Sequence, residues 1–281
     1  FRLLLYRKGL SLRDTSIDLI KKIISYDTTS RNSNLELIHF IRDYLKDLRI
    51  ESLLVHDDAG TKANLYATLG PADRPGILLS GHTDVVPIDG QDWHTDPFNV
   101  VEKDAKLFGR GTCDMKSFVA ICLAYAPKFL ERGLNIPIHF AFSHDEEVGC
   151  VGVRTLIAKL ANEIQPKPMM CIVGEPTLMQ VIIGHKGKMS YQCHVRGLEA
   201  HSSLAPQGVN AVEYAAELIA YLKGMARRIQ QEGPFDDLYD INHTTVHTGT
   251  VQGGTALNIV PKDCSFEFEF RCIAGHDGRE L

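Results

Sequence analysis

The chain has no CxxC pair, no block of basic residues, no apolar run longer than a strand, and no internal repeat or low-complexity tract. Each absence removes a class of function. Seven cysteines (113, 122, 150, 171, 193, 264 and 272) cannot close a disulfide framework, because the number is odd. Several lie inside apolar strands, where cysteine packs as a small hydrophobe, so a reducing cytoplasm is expected. Lys and Arg number 30 against 35 Asp and Glu, a net charge of −5. That balance gives no electrostatic case for nucleic acid or a membrane surface as partner. Strand-length apolar runs exclude a bilayer span. The chain opens at Phe1 without an initiator methionine, and the apolar stretch Leu3 to Tyr6 is too short for a signal-peptide core. Residues 1–14 are therefore expected to form an extension outside the fold.

What is present is ordinary in bulk and specific in pattern. The 281 residues, 44% hydrophobic and 23% charged, suit one large or two ordinary globular domains. Helical periodicity at Ile17–Ile24 and Ile38–Leu48 precedes strand-like runs at 51–56, 64–69 and 77–80. The segment 85–112 reads as a long loop with a short strand near Leu107. A helix over 116–131 (with Pro127 as a kink or late break), a strand over 136–143, a helix over 151–162 and a strand over 169–173 then alternate. This rhythm predicts an α/β fold: a doubly wound, mostly parallel sheet over residues 15–179. After Pro176 the order becomes β-α-β-β, with strands at 188–196, 244–252 and 263–272 and an amphipathic helix at 209–229. That is most of a ferredoxin-like α+β unit, a second domain over 180–281 that lacks its last helix and strand. His276 to Leu281 look like the first turn of a helix, starting at Asp277, that does not continue. A fragment of a longer protein is expected.

Six residues of metal-binding type stand where apolar strands end. His82 and Asp84 follow Ile77–Gly81, Glu146 and Glu147 follow Ile138–Ser143, and Glu175 follows Met170–Gly174; Asp114 precedes the 116–131 helix. Ligands of open α/β sheets bind outside the carboxyl ends of the strands, so one shared site is expected there. Nitrogen and oxygen donors without a cysteine pair suit a hydrolytic divalent metal, zinc first, with cobalt and manganese tolerated by the same donors. His82 and Asp84 suit a metal-bound imidazole whose other nitrogen is held by a carboxylate. Of two adjacent glutamates, one can bind metal while the other takes a proton from water. Taken singly, each signal has a plainer reading: a surface His-Thr-Asp turn, an acidic turn before a helix N-terminus, a helix cap at Asp114.

Four stretches in order, Ser80–Pro87, Gly109–Lys116, Asp145–Gly149 and Gly174–Thr177, resemble the motifs of the dinuclear zinc deacylases and exopeptidases. That group includes acetylornithine deacetylases, succinyl-diaminopimelate desuccinylases, aminoacylases and glutamate-releasing carboxypeptidases. Gly184–Gly187, His201–Ser203, Gly208–Glu213 and Gly253–Pro261 most resemble the acetylornithine deacetylases. The resemblance implies two divalent ions, with His82 and Glu175 on one, Glu147 on the other and Asp114 between them. It implies Asp84 as the residue that orients His82, and Glu146 as general base and later acid. It implies that 180–281 is a lid and dimerisation domain whose His201 steadies the oxyanion in the partner subunit of a homodimer, with Asn258 and Arg271 near the substrate carboxylate. His201 and Asn258 could equally be turn residues, and Arg271 a solvated strand residue.

The reaction so implied is removal of acetyl from N2-acetyl-L-ornithine, giving ornithine and acetate, a step of arginine biosynthesis. Desuccinylation of succinyl-diaminopimelate is the runner-up, and a non-catalytic fragment or scaffold on this fold is the alternative of another class. The chain departs from the family pattern at Cys113, expected to be a compact buried side chain, and at Ser117, which stands for a common glycine. The histidine that completes the second metal site in the family has no counterpart before Leu281, so this chain alone is expected to be inactive.

Overall fold

A computed structural model describes residues 12–281, with side chains from residue 15 onward. Residues 1–11 of the expected extension lie outside the described residues, and 12–14 open the first helix. The chain divides into two units, residues 1–179 and 180–281. In the first, the elements run α1 (Leu12–Ile24), α2 (Leu35–Asp47), β1 (Ser52–His56), β2 (Ala63–Leu69), β3 (Ile77–His82), β4 (Val101–Lys103), β5 (Lys106–Phe108), α3 (Lys116–Arg132), β6 (Ile138–Ser143), α4 (Val153–Glu163) and β7 (Met170–Val173).

The main sheet has the order β1-β2-β6-β3-β7. Strands β6, β3 and β7 are parallel, linked by the crossover helices α3 and α4. Strands β1 and β2 pair antiparallel, as do β2 and β6. The α/β layering is as expected, but the sheet is evenly mixed where a mostly parallel one was expected. The reason lies in the connections. The turn between β1 and β2 is too short for a crossover, and short turns join only antiparallel neighbours. Asp57 closes that turn by accepting the main-chain N–H of Thr61 at 2.8 Å and of Lys62 at 2.9 Å.

Alternation along the strands sorts the two faces. Leu65, Ala67, Phe140 and Phe142 belong to the large core beneath α1, α2 and α3. Tyr66 and Ala141 belong to a smaller cluster closed by Leu156 of α4. Helix α3 runs through Pro127 for five more residues and ends at Gly133, whose φ of 69° few other residues adopt readily. The loop over 85–112 contains a β4–β5 hairpin rather than a single short strand.

In the second unit the elements run β8 (Gly187–Arg196), α5 (Ala211–Glu232), β9 (Thr245–Gly253) and β10 (Asp263–Cys272), and the three strands form an antiparallel sheet of order β8-β10-β9. The last strand lies between the first two, the arrangement of a split βαβ unit. Helix α5 starts where Asn210 Oδ1 accepts the N–H groups of Val212 and Glu213, and it packs Ala211 and Ala215 on Cys264 and Phe266. Residues after Ile273 form turns; the Asp277 side chain accepts Arg279 N–H at 2.9 Å and its carbonyl accepts Glu280 N–H at 3.1 Å, as at a helix start, and Leu281 is the last described residue. No described helix is long and apolar enough to cross a membrane.

Candidate metal centre

Strand β3 lies between β6 and β7, so the loops leaving all three strands meet at one sheet edge. His82 ends β3 and is 2% exposed. Its Nε2 lies 2.9 Å from Asp114 Oδ1, 3.8 Å from Glu175 Oε1 and 3.9 Å from Glu146 Oε2. Two sets of donor atoms fall within 4.8 Å of one another: His82 with Asp114 and Glu175, and His82 with Glu146 and Glu147. The structure thus gathers all six residues at one place.

The plainer readings of the carboxylates do not hold. Met115, not Asp114, occupies the cap position of α3, and Asp114 turns to His82. The Asp114–Met115 peptide is cis. Helix α4 has no acid in its first turn, so the glutamate pair is not there to favour a helix N-terminus. Cys113, expected to be buried, is exposed, because it lies in the irregular segment before α3 rather than in a packed element.

Asp84 does more than the pairing with His82 predicts. The Nδ1 of His82 is 2.9 Å from the main-chain carbonyl of Asp84 and 3.5 Å from its carboxylate. The Asp84 carboxylate accepts from Ser30 Oγ at 2.8 Å, from Glu146 N–H at 3.1 Å and from Glu147 N–H at 3.2 Å. It therefore ties the end of β3 to the turn after β6. Sequence reasoning missed Ser30, whose only signal is its place in a polar run after α1.

The electrostatics call for positive charge. Burial acts to lower the pKa of His82, but hydrogen bonds and charges from Asp84 and Asp114 raise it to about 9. Burial acts to raise that of Asp84, yet bonds from His82, Ser30 and Glu146 N–H bring it below its ordinary value. Glu147 is pushed up by burial and by the charge of Asp114, with Glu146 adding to it. Glu175 is pushed up by burial, Asp114 and Glu146. Carboxylates crowded enough to resist ionisation, around one imidazole, fit a divalent cation of borderline hardness. Two residues after Asp114, Lys116 is fully buried, its Nζ on the Tyr26 carbonyl at 2.8 Å, and burial lowers its pKa to about 7.

The remaining expected site residues lie in the second unit. His201 is exposed; its Nδ1 accepts the N–H of Ser203 at 3.2 Å and contacts Ser203 Oγ at 2.8 Å. Asn258 is exposed in the loop before β10, its carbonyl accepting from Ser202 N–H at 3.0 Å. Arg271 stands at the other end of β10, bound to Glu269 at 2.8 Å.

A nitrogen-and-carboxylate cluster at the carboxyl edge of an α/β sheet has the donor set of a divalent-metal site. The profile of peptidase family M20/M25/M40 matches residues 78–265, and the chain belongs to that family. It is 34% identical over 269 residues to the acetylornithine deacetylase of Proteus mirabilis, covering 93% of this chain and 68% of that protein. To the acetylornithine deacetylase of Pasteurella multocida it is 33% identical over 248 residues, covering 88% and 63%. The chain thus spans about two thirds of the length of these relatives. A metallo-carboxypeptidase of the M20 family from Sulfolobus solfataricus shares the fold with a TM-score of 0.78 at 18% identity, over 94% of this chain and 72% of that one. A dinuclear metal binding peptidase of the M20 family from Bacillus subtilis gives 0.59 at 19% identity, over 94% and 65%.

Proposed function

We propose that this chain forms part of a metal-dependent amidohydrolase that removes the acetyl group from N2-acetyl-L-ornithine. The observation that carries the reading is the gathering of Asp114, Glu146, Glu147 and Glu175 around the buried His82. Identity of 32–34% with four acetylornithine deacetylases supports the substrate.

His82, Asp114 and Glu175 would hold one divalent ion, and Glu147 with Asp114 would help hold a second, zinc by the chemistry of the donors. Such ions lower the pKa of water and polarise an amide carbonyl. Glu146 then takes a proton from the attacking water and passes it to the nitrogen of the leaving amine, which departs neutral. Asp84 holds His82 and both glutamates while this happens. His201 is suited to the oxyanion: with Nδ1 accepting from Ser203, its neutral ring carries the proton on Nε2. A donor in that role is worth about 2.7–4 kcal/mol in the transition state. Residues 180–281 serve in this reading as the lid and dimerisation domain that brings His201 to the partner subunit's site, with Asn258 and Arg271 at the substrate carboxylate.

The test is turnover by the complete, zinc-loaded protein. N2-acetyl-L-ornithine should be hydrolysed far faster than N-succinyl-diaminopimelate, and the reverse ranking would overturn the substrate. Glu146→Gln should lower kcat by about 10²–10⁴-fold with metal still bound.

A further inference from the structure

Lys62 belongs to none of the motifs that point to the site. It is the last residue of the turn before β2, and only 15% of its side chain is exposed. Its Nζ donates to the main-chain carbonyl of Ser30 and to Oδ1 of Asp145, each at 2.5 Å. Asp145 is equally enclosed at 14%, and its other carboxylate oxygen lies 3.1 Å from Nδ1 of the buried His144. The φ of Asp145 is 55°, in the left-handed region that non-glycine residues seldom occupy.

Both partners of Lys62 connect to the glutamate pair, Asp145 directly along the chain and Ser30 through Asp84. Asp145 precedes Glu146 in the chain, and the Asp145 carbonyl accepts Val151 N–H at 3.0 Å, closing the turn that presents the pair. The hydroxyl of Ser30 holds Asp84, which in turn holds the N–H groups of Glu146 and Glu147. One ammonium therefore reaches the pair by two routes, through the main chain from Asp145 and through Ser30 and Asp84. A largely enclosed ion pair is weak evidence of stabilisation, since desolvation offsets its Coulomb gain; what it can supply is a fixed geometry. Here the geometry it fixes is that of Glu146 and Glu147.

We propose that Lys62, Asp145 and Ser30 are positioning residues: Lys62 ties the Ser30 carbonyl to the Asp145 carboxylate and so sets the main chain of Glu146 and Glu147. The inference rests on the assignment of Glu146 and Glu147 made above. It identifies why a lysine stands behind an acidic site that it does not enter.

The test compares Lys62→Met, Asp145→Asn and the double variant in the complete metal-loaded protein. Asparagine preserves both the volume and the tolerance for the left-handed φ at 145. Each single variant should lose about 10–100-fold in kcat, as outer partners of metal sites do, with KM within about threefold of the parent. The single variants should also unfold at lower temperature, each leaving one charge without its partner. The double variant removes both charges, so its unfolding temperature should return toward the parent while kcat stays low. Recovery of kcat together with thermal stability, or single variants as active as the parent, would overturn the proposal. If the parent hydrolyses no N-acyl amino acid, the functional reading fails and calorimetric zinc titration decides the positioning role alone. A second zinc weakened about 10–100-fold in Asp145→Asn supports it, and an unchanged titration overturns it.

Discussion

Replacing Asp84 by asparagine changes no volume and removes one acceptor, which makes it a sharp probe of the site. In the parent, Oδ1 accepts from Glu146 N–H, while Oδ2 accepts from Glu147 N–H and Ser30 Oγ. An asparagine has one acceptor oxygen and one donor group. If the oxygen takes the Oδ2 position, its amide group faces Glu146 N–H. If the amide takes the Oδ2 position, Ser30 can turn and accept from it, but Glu147 N–H loses its partner. Either way one main-chain N–H of the glutamate pair meets a donor. Asp84 is 2% exposed, so water does not replace the lost bond. A hydrogen bond to a buried charged group is worth about 1.5–3 kcal/mol, so Asp84→Asn should cost about 2–3 kcal/mol. For a chain of this size that lowers Tm by roughly 4–12 °C.

The same displacement falls on Glu146 or Glu147, so kcat should drop about 10–100-fold, the usual effect of losing an outer partner at a metal site. The contact between His82 Nδ1 and the Asp84 carbonyl uses the main chain and survives the substitution. A depressed carboxylate pKa adds stability above its unfolded value, and that stability is lost as pH falls through the folded value. The parent should therefore lose part of its stability below the ordinary aspartate value of 3.8, and the variant should not show that loss. Thermal unfolding and steady-state kinetics on both proteins decide the matter. A Tm shift no larger than a neutral surface change of about 0.5 kcal/mol, with kcat unaltered, would refute the reasoning.

Two further outcomes follow from the site. In the metal-free chain, Asp84 and Asp114 keep His82 protonated up to about pH 9, and the stability this lends is present below 6.5 and lost as pH rises through 9. A metal needs the neutral imidazole, so binding at pH 7 should release about one proton from His82, and affinity should rise up to about pH 9. Calorimetry in two buffers of different ionisation enthalpy measures this, and heats independent of buffer would contradict it. At Gly174, a Cβ would sit 2.1 Å from Cγ of Phe118, so Gly174→Ala must displace either that ring or the main chain leading to Glu175. The cost should be about 1–3 kcal/mol, with weaker metal binding, read by thermal unfolding and metal titration. An unchanged Tm would mean the ring moves aside freely.

The elements were legible where a single period dominates. The strand expected over 263–272 and the helix expected over 116–131 match the structure within a residue or so, since each pairs one apolar face with one core. The β4–β5 hairpin was not legible, because its turn places Asp104 and Ala105 at φ of 52° and 57°. That conformation is the kind usually announced by glycine or asparagine, and the sequence shows neither there. The mixed sheet was hidden for a related reason. Hydrophobic patterning marks a strand but carries no sign of its direction, which depends on whether a crossover or a turn precedes it.

At the site, the division between what could and could not be read follows the type of partner. His82, Asp114, Glu146, Glu147 and Glu175 meet through their side chains, so residue type and position, at strand ends or before α3, pointed to them. Asp84, Ser30 and Lys62 all engage main-chain groups: the N–H groups of two glutamates, the carbonyl of Val85 at 3.4 Å and the carbonyl of Ser30. Every residue offers the same main-chain groups, so such contacts leave no pairing of residue types to recognise. Asp84 shows the consequence most clearly. Its spacing from His82 suggested a carboxylate–imidazole pair, yet the imidazole is nearer its carbonyl, and its carboxylate serves the glutamates 62 and 63 positions along the chain. The acid at position 84 thus serves the turn across the sheet edge as well as the histidine beside it. A change at Asp84 should accordingly be felt at Glu146 and Glu147 as well as at His82.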